Sequence, residues 1–562
     1  MKKIVLCGLL ALAHALPGVA QVQQPTKVKI KTKNKAEAAK PAAAPDWSRT
    51  YAKTIRPEEL RQHLTVIASD EFLGREAGQP GQKLAAEYLV KEFAALGLQG
   101  PVVGSDNPYL QHFPLTRATL AAGGYVKVGN QRYEWLDDFF SYGPMLSTFP
   151  SETVSQPVFV GFGVEQGAYS DYAGLDVQGK DVVAIMGDPQ DERGRKLLKS
   201  TGRPANYWDS GLRKAAIAKA KGARSIFLMT FAPTEAFRKQ GTEFASSLRE
   251  PVFGLTNPSP AVIDTVREDI PPGIGVYLTS QNLGLKLAGT TLPGLLEYAR
   301  ALGRAGKPVP PSFQPPAMTI HLPQTQEQLT TENVLGFLEG TDKKDEVLVI
   351  SSHYDHLGVK NDTIYNGADD DGSGTVAVLA IAKAFAQAKA EGHGPRRSIL
   401  FISMTAEEEG LFGSEYYTAN PVVPLANTIA NLNIDMVGRT DRKHSPKKRF
   451  VNIVGSDKLS SELHRINETA NRTYTKLELD YRYNVPNEPE HIYYRSDHYN
   501  FARRKIPVIF YTTGEHEDYH KATDDVEKIE FDKLAERAQL VFHTAWELVN
   551  REKRIVVDSN KP

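Results

Sequence analysis

The feature that most constrains the fold of this 562-residue chain is an alternation of short apolar segments with helical segments from Asn333 onward. The apolar segments read EVLVISSH, RSILFISM, IANLNIDM and KIPVIFYT, whereas TVAVLAIAKAFAQAKA and the stretch from Leu534 to Val549 have helical spacing. Short β-branched runs that alternate with helices are typical of parallel strands covered on both faces. We therefore predict an α/β fold with a mixed, largely parallel sheet sandwiched by helices.

Acidic and histidine clusters follow these strands or lie in the loops between them. A single such cluster would indicate little, because a lone Asp at a strand end usually caps a helix. The carboxyl ends of parallel strands, however, meet at one sheet edge, and carboxylates gathered there repel one another unless cations neutralise them. The sequence therefore predicts a metal site at this edge. The clusters are HYDH (353–356), GADDDGSG (367–374), AEEEG (406–410), NIDMVG (433–438) and EDYHKATDD (517–525).

The composition narrows the partners and the metal ligands. Lys plus Arg equals Asp plus Glu at 67 each, so no global field attracts nucleic acid or an anionic membrane. No apolar stretch after the first 20 residues reaches the roughly 20 residues that a membrane span needs, so we expect no stable membrane insertion. The only cysteine is Cys7, which leaves imidazole and carboxylate as the ligands of any metal.

The N-terminal segment is typical of an exported protein. MKKIVLCGLLALAHALPGVA has a lysine-containing start, an apolar stretch and small residues before a predicted cleavage after Ala20. We interpret residues 1–20 as a signal peptide and residues 21–50, rich in Lys, Ala and Pro, as a disordered linker. The predicted destination is the periplasm or the extracellular medium.

The rest of the chain is too long for one hydrophobic core, so we expect two globular units. We place the first part of one domain at 51–140, an inserted β-rich domain at 141–310 and the main part of the first domain at 311–555. The insertion resembles the protease-associated domain. The resemblance rests on Val158 to Val164, Tyr172, Asp176, the segment GKDVVAIMGDP and the turn at Lys221 to Ala223. It implies a lid or a substrate-access module.

Taken together, the clusters make the chain resemble the di-zinc aminopeptidases, peptidase family twenty-eight of the metallopeptidases. The resemblance covers about Pro57 to Ala121 and Asn333 to Asn550, and it implies a zinc-exopeptidase fold with two Zn²⁺ ions per chain. Three carboxylates and two imidazoles against two dications leave one positive charge, which a bridging hydroxide would cancel. The implied metal ligands are His353, Asp369, Glu408, Asp435 and His520.

The family pattern also implies how the ligands are shared. The first His of H-x-D corresponds to His353, and Asp435 would bind the same zinc. Asp369 would bridge both metals, with Asp370 and Asp371 as supporting or capping residues. Residues two apart on an extended segment point the same way, so Asp355 can orient the His353 imidazole, and we interpret His356 as a bystander. The second zinc would be bound by Glu408 and His520.

The remaining roles follow from the adjacent glutamates and the downstream motifs. The run A-E-E-x-G-L fits only one register, which makes Glu407 the implied general base. Asp497 and His498, in SDHYNF, are interpreted as structural support. Tyr493 and Tyr519 are either oxyanion donors or packing aromatics.

These residues predict an exported di-zinc metallo-exopeptidase acting on peptide substrates, with an aminopeptidase as the leading interpretation. A carboxypeptidase or a dipeptidase on the same fold remains open, since Arg439 and Arg495 could form a cationic pocket. A glutaminyl cyclase is disfavoured by the full ligand set. From a different class, a non-catalytic binding protein also remains open, and the oligomeric state is not predicted.

Overall fold

A computed structural model describes residues 45–141, 149–198, 208, 210–256, 274–485 and 488–559. The predicted signal peptide, with Cys7, and linker residues 21–44 lie outside the described residues. The predicted C-terminal end of the linker, residue 50, is too late, because a helix that buries Tyr51 and Ala52 begins at Trp47. In the described part of the chain, no helix combines the length and the apolar character that crossing a bilayer requires.

The helices are α1 (Trp47–Ala52), α2 (Pro57–Ile67), α3 (Pro80–Ala95), α4 (Gly211–Ala220), α5 (Thr234–Arg249), α6 (Gln281–Ala288), α7 (Leu292–Ala305), α8 (Gly374–Ala390), α9 (Phe412–Ala419), α10 (Ser461–Ala470), α11 (His498–Arg503) and α12 (Phe531–Asn550). Short helical turns lie at Asp70–Arg75, Ala368–Ser373, Leu425–Asn427, Asn471–Thr475, Arg482–Asn484, Ile492–Tyr494 and Val526–Lys528.

The strands are β1 (Leu110–Leu120), β2 (Tyr125–Val128), β3 (Gln131–Glu134), β4 (Phe139–Ser141), β5 (Phe149–Ser155), β6 (Val158–Phe159), β7 (Glu165–Gln166), β8 (Tyr169–Ser170), β9 (Asp181–Ile185), β10 (Ser225–Met229), β11 (Val252–Leu255), β12 (Gly275–Thr279), β13 (Met318–Leu322), β14 (Gln324–Leu338), β15 (Lys343–His353), β16 (Val359–Lys360), β17 (Thr363–Ile364), β18 (Arg397–Met404), β19 (Thr428–Ile434), β20 (Phe450–Val454), β21 (Glu478–Asp480) and β22 (Val508–Thr512).

The main sheet has nine strands in the described part of the chain, in the order β11-β1-β14-β18-β15-β19-β22-β20-β21. Its centre, β18-β15-β19-β22, is parallel throughout. The pairs on one side, β11-β1-β14-β18, are antiparallel, as is β20 with β22. The predicted mixed sheet with parallel central strands is thus confirmed.

Helices cover both faces of this sheet, because the apolar side chains of a strand alternate between its faces. On β15, Leu348 and Ile350 pack into a core shared with α1, α2, α3, α8, α10 and α12. Val347 and Val349 on the same strand face the opposite core, which includes Tyr417 of α9 and Phe501 of α11. The predicted sandwich by helices is therefore present.

In the described part of the chain, the insertion contains two larger sheets and the two-stranded sheet β7-β8. One has the order β4-β12-β10-β9-β6, in which β12, β10, β9 and β6 are parallel. The other is antiparallel, with the order β3-β2-β13-β5. The helices α4 to α7 also fall in the insertion, so the description as β-rich understates its helical content. Leu283 and Leu287 of α6 and Leu295 and Leu302 of α7 are buried in the core of the insertion.

The predicted boundaries at 140/141 and 310/311 do not coincide with these sheets. Strands β2, β3 and β13 lie outside 141–310 but form one sheet with β5. Conversely, β11 lies inside 141–310 but joins the edge of the main sheet, where Leu255 is opposite Leu115 and Val252 is opposite Ala118. Contact between strands, rather than a change in composition, sets the limits of the insertion.

Candidate metal centre

The parallel strands of the main sheet bring most of the predicted site residues to one edge. His353 is the last residue of β15, and Asp435 directly follows β19. Glu407 and Glu408 lie in the loop after β18, and the segment after β22 carries His520. Because these strands are parallel, their carboxyl ends meet, as expected for a ligand site of an open α/β sheet. His353, Asp435 and Glu407 are each at least nine-tenths buried.

Asp370, not Asp369, lies between the two groups of predicted ligands. Its Oδ1 is 3.5 Å from His353 Nε2, and its Oδ2 is 3.1 Å from His520 Nε2. Each carboxylate oxygen therefore faces a different imidazole. The structure corrects the sequence-based assignment of Asp369 to the shared position.

The backbone explains why three consecutive aspartates separate. Asp370 has extended angles (φ −101°, ψ 101°), so its neighbours point away from it. Asp369 Oδ1 accepts a hydrogen bond from the backbone N–H of Gly438 at 2.6 Å, and its Oδ2 lies 3.2 Å from His516 Nε2. Asp371 Oδ1 accepts the backbone N–H of Gly374 at the start of α8, at 2.8 Å. Asp371 thus contacts the backbone at the start of α8 and at Met436, and the helix N-cap itself is Ser373.

The first group of potential ligands consists of His353, Asp370 and Asp435. His353 Nε2 is 3.7 Å from Asp435 Oδ1, and the other oxygen of Asp435 accepts a hydrogen bond from Ser496 Oγ at 2.6 Å. Glu407 lies against this group, with Oε2 at 3.8 Å from His353 Nε2. Ser496 thereby leaves Asp435 Oδ1 directed toward the imidazole.

The second group is built around Glu408. Its Oε2 lies 3.0 Å from His520 Nε2, which is itself close to Asp370. Its Oε1 lies 2.7 Å from Nδ1 of His356, a residue that the sequence analysis treated as a bystander. His356 is therefore part of the cluster.

The donors of both groups fit metal cations. Potential ligand atoms of His353, Asp370 and Asp435 all lie within 4.8 Å of one another, as do those of His356, Asp370 and Glu408. Asp370 Oδ2 is buried and, although His520 Nε2 lies 3.1 Å away, makes no well-aligned hydrogen bond in the described part of the chain, so a cation bound there would stabilise it. Imidazole nitrogen and carboxylate oxygen are the ligands that zinc takes where sulfur is absent.

Asp355 contacts its predicted partner through two different atoms. His353 Nδ1 is 3.2 Å from the backbone carbonyl oxygen of Asp355 and 3.7 Å from its carboxylate Oδ1. That same Oδ1 accepts the backbone N–H of Glu407 at 3.3 Å. Asp355 thus links the loop of the first imidazole to the loop of the predicted base.

Burial and neighbouring charges shift the pKa values of the carboxylates and imidazoles in the cluster. Burial raises the pKa of Glu407 well above its ordinary value, and the carboxylates of Asp435 and Glu408 add to the rise against the effect of His353. Burial would also raise the pKa of Asp370, but His353 and His520 hold it well below its ordinary range. Against the effect of burial, Glu408 and Asp370 raise the pKa of His520 to about 10. Cations that bind here must displace protons from the imidazoles.

Two supporting residues escaped the sequence analysis. Asp524 Oδ2 accepts the backbone N–H groups of Asp369 and Asp370, at 3.0 and 3.1 Å, and so fixes the loop of the shared carboxylate. Asp524 belongs to the same cluster as His520, which was an available signal. No local sequence pattern indicated Arg75, because it lies nearly 300 residues before the loop that it contacts.

Arg75 is fully buried and joins three segments around the cluster. Its guanidinium donates to the carbonyl oxygens of Tyr354 at 2.7 Å, Ile67 at 2.8 Å, Asn366 at 2.7 Å and Gly367 at 3.0 Å. Burial lowers its pKa to about 10, so it remains a cation at neutral pH. It therefore holds the loops of the first imidazole and of the shared carboxylate together.

The other candidates have defined surroundings. The Tyr519 ring stacks on His520 with a centroid distance of 3.9 Å, and its hydroxyl accepts a hydrogen bond from Arg495 at 3.2 Å. Tyr493 packs edge-on against Tyr499 and His498. Burial lowers the pKa of His498 to about 3, which leaves it a neutral ring. Tyr519 is thus the tyrosine of the pair that adjoins the cluster.

The fold and this centre define an α/β protein that gathers imidazoles and carboxylates for metal cations at the carboxyl edge of its sheet. Residues 333–545 match the sequence profile of Peptidase family M28. The predicted resemblance to peptidase family twenty-eight is thus confirmed over these residues.

Individual proteins are similar to part of the chain. Leucine aminopeptidase 1 of Penicillium rubens is 30% identical over 212 residues, which cover 36% of this chain and 53% of that protein. Aminopeptidase YwaD of Bacillus subtilis is 26% identical over 233 residues, which cover 40% and 46%. The chain thus spans about half the length of the curated relatives it matches.

The fold has a solved counterpart in an aminopeptidase from Aneurinibacillus sp. strain AM-1. The two superpose with a TM-score of 0.52 at 19% identity, covering 92% of this chain and all of that one (100%). At this identity the likeness shows the fold alone.

Proposed function

We propose that the protein is an exported metallo-exopeptidase with two zinc ions, most simply an aminopeptidase that removes N-terminal residues from peptides. The observation that carries the proposal is the position of Asp370, whose two oxygens face His353 on one side and His520 on the other. A carboxylate in that position can be shared by two cations. His353 and Asp435 would complete one site, and Glu408 and His520 the other.

Two zinc ions held at these positions would lower the pKa of a shared water and polarise the scissile carbonyl. The proton-transfer role falls to Glu407, which is buried beside His353 and has a raised pKa. A carboxylate of raised pKa accepts a proton from the attacking water and then passes it to the leaving amine. Tyr519 accepts a hydrogen bond from Arg495, and in this proposal its own hydroxyl hydrogen would be donated to the developing oxyanion.

The surroundings of the two candidate arginines favour an aminopeptidase over a carboxypeptidase. Arg439 donates to Glu517 and Asp518, both at 3.1 Å. Arg495 donates to Glu515 at 2.9 Å as well as to Tyr519. Both cations thus already have carboxylate partners, which weakens their claim to the C-terminal carboxylate of a substrate.

The deciding experiment measures product release from aminoacyl-p-nitroanilides and from N-blocked peptides, with metal content determined on the same sample. We expect cleavage of the free-amine substrates alone, loss on chelation and recovery with two equivalents of zinc. Cleavage of blocked peptides from their C-termini would indicate a carboxypeptidase. A protein that holds two metals but hydrolyses neither set would contradict the proposal and favour a binding protein.

A further inference from the structure

The side chain of His356 is enclosed by protein atoms, which restrict its orientation. Its side chain is fully buried, and its backbone N–H donates to the carbonyl oxygen of Arg75 at 3.3 Å. The imidazole lies directly against Gly367, where a Cβ atom would come within 2.5 Å of the ring. Gly367 has φ +56°, and its lack of a side chain leaves the space that the ring occupies. The imidazole therefore has one position relative to Glu408.

The contact between His356 and Glu408 specifies a tautomer. Nδ1 lies 2.7 Å from Oε1 of Glu408. Two lone pairs at that distance would repel each other, so Nδ1 must carry the hydrogen and donate it to the carboxylate. A protonated Nδ1 has no lone pair left for a cation.

The two oxygens of Glu408 consequently have different partners. Oε1 is held by His356, whereas Oε2 faces His520 Nε2 at 3.0 Å. Each imidazole thus has its own oxygen of Glu408, and of the two, His520 Nε2 lies nearer to Oδ2 of the shared Asp370, at 3.1 Å against 3.8 Å for His356 Nδ1.

We propose that His356 is a positioning residue that keeps Glu408 a one-oxygen ligand of the second cation, by holding Oε1 through an Nδ1–H hydrogen bond. The proposal rests on the proposed two-cation function. Without this bond, Glu408 is free to rotate or to bind the cation with both oxygens. Hydrogen bonds from outside the ligand set typically change metal affinity by about 10- to 100-fold.

The test is a titration of metal-free protein with Co²⁺, followed by visible absorption and calorimetry. In His356→Ala we expect the second Co²⁺ to bind about 10- to 100-fold more weakly. We also expect its visible bands to lose intensity, since a two-oxygen Glu408 raises the coordination number. His356→Asn should restore both properties, because its amide N–H can replace Nδ1–H. His464→Ala, which removes an imidazole 3.6 Å from Glu468 on α10, is the matched control.

Each outcome decides the inference. An alanine variant with the wild-type spectrum and affinity would overturn it. An asparagine variant that behaves like alanine would also overturn it, because that result identifies His356 as a ligand rather than a donor. Wild-type protein that binds a single Co²⁺ would contradict the two-cation function, while the comparison of the His356 variants would still test the bond to Glu408. The first, unperturbed Co²⁺ site reports that each variant is folded.

Discussion

The main sheet and the parallel sheet of the insertion have the same local geometry but different edges. In the main sheet, the central parallel strands end in or lead to His353, Glu407 and Asp435. In the insertion, β10 is followed by Thr230, which donates to a backbone carbonyl oxygen, and β12 by Ser280, which caps α6. Parallel strands alone therefore do not make a site. The side chains at their carboxyl ends do.

The buried carboxylates of the two regions also have different partners. In the insertion, the fully buried Asp181 accepts two hydrogen bonds from Arg224, one of them at 3.0 Å from Nε, and Asp188 is paired with Lys196. At the main sheet, Asp370, Glu407 and the neighbouring acids surround imidazoles, with the buried cation Arg75 directed at backbone carbonyl oxygens. Buried carboxylates that face imidazoles, which can also bind metals, distinguish this centre from the Arg and Lys ion pairs of the insertion.

Chelation should produce the largest effect, because it removes the charges that balance the main-sheet cluster. We expect amine release to fall to background and the thermal unfolding temperature to drop, since ligands that bind only the folded state stabilise it. Added zinc should restore both. Activity, metal content and calorimetry on one sample check this. Full activity in protein shown to lack metal would contradict it.

Glu407→Gln should have the next largest effect on turnover. Removing a general base typically lowers kcat by about 10²- to 10⁴-fold, while the metal content should stay unchanged. Glu409→Gln is the matched control. Glutamine has nearly the same shape as glutamate, so this variant repeats the chemical change two residues away, at a glutamate whose pKa burial also raises well above its ordinary value. Equal losses in the two variants would count against Glu407 as the base.

The variants Asp370→Asn and Asp369→Asn test which of two neighbouring aspartates is shared by the two cations. We expect the change at Asp370 to weaken binding of both cations and to lower kcat by at least about 100-fold, in the range seen for lost metal chemistry. The change at Asp369 should be milder, because its carboxylate contacts Gly438 and His516. Metal stoichiometry and kcat of the two variants decide the order, and a reversed order would return the shared position to Asp369.

Arg224→Met should affect stability and leave turnover unchanged. It removes the half-exposed partner of the fully buried Asp181, and a buried acceptor left without its partner typically costs about 1 to 3 kcal/mol of unfolding free energy. Denaturant titration and kcat on the same sample measure both effects. A substantial fall in kcat at full folding would show that charge pairing in the insertion and the metal centre are coupled.

The sequence was sufficient for much of the fold, because periodicity reports burial. The central strands and the helices α8 and α12 were predicted from their apolar spacing. The limits of the insertion were not, since β11 pairs with β1 more than a hundred residues away. Such pairing leaves no local pattern.

The sequence clusters that form the candidate site could be predicted, but the contacts of individual side chains within them could not. Three consecutive aspartates have the same chemistry, and the backbone angles at Asp370 decide which of them is shared. The contact of His356 with Glu408 joins two loops, and the contacts of Arg75 join segments far apart in the chain. Neither follows from spacing. The metal-ligand roles themselves stay predictions until a metal is measured.

The pairing of β11 with β1 has a mechanical consequence. Four residues of the insertion, Val252 to Leu255, lie opposite Leu115 to Ala118 of the main sheet. If the insertion moved as a rigid body about a hinge, β11 would have to separate from β1. Such a motion would break the backbone hydrogen bonds between the two strands. While the strand stays paired, this part of the insertion is anchored to the edge of the main sheet.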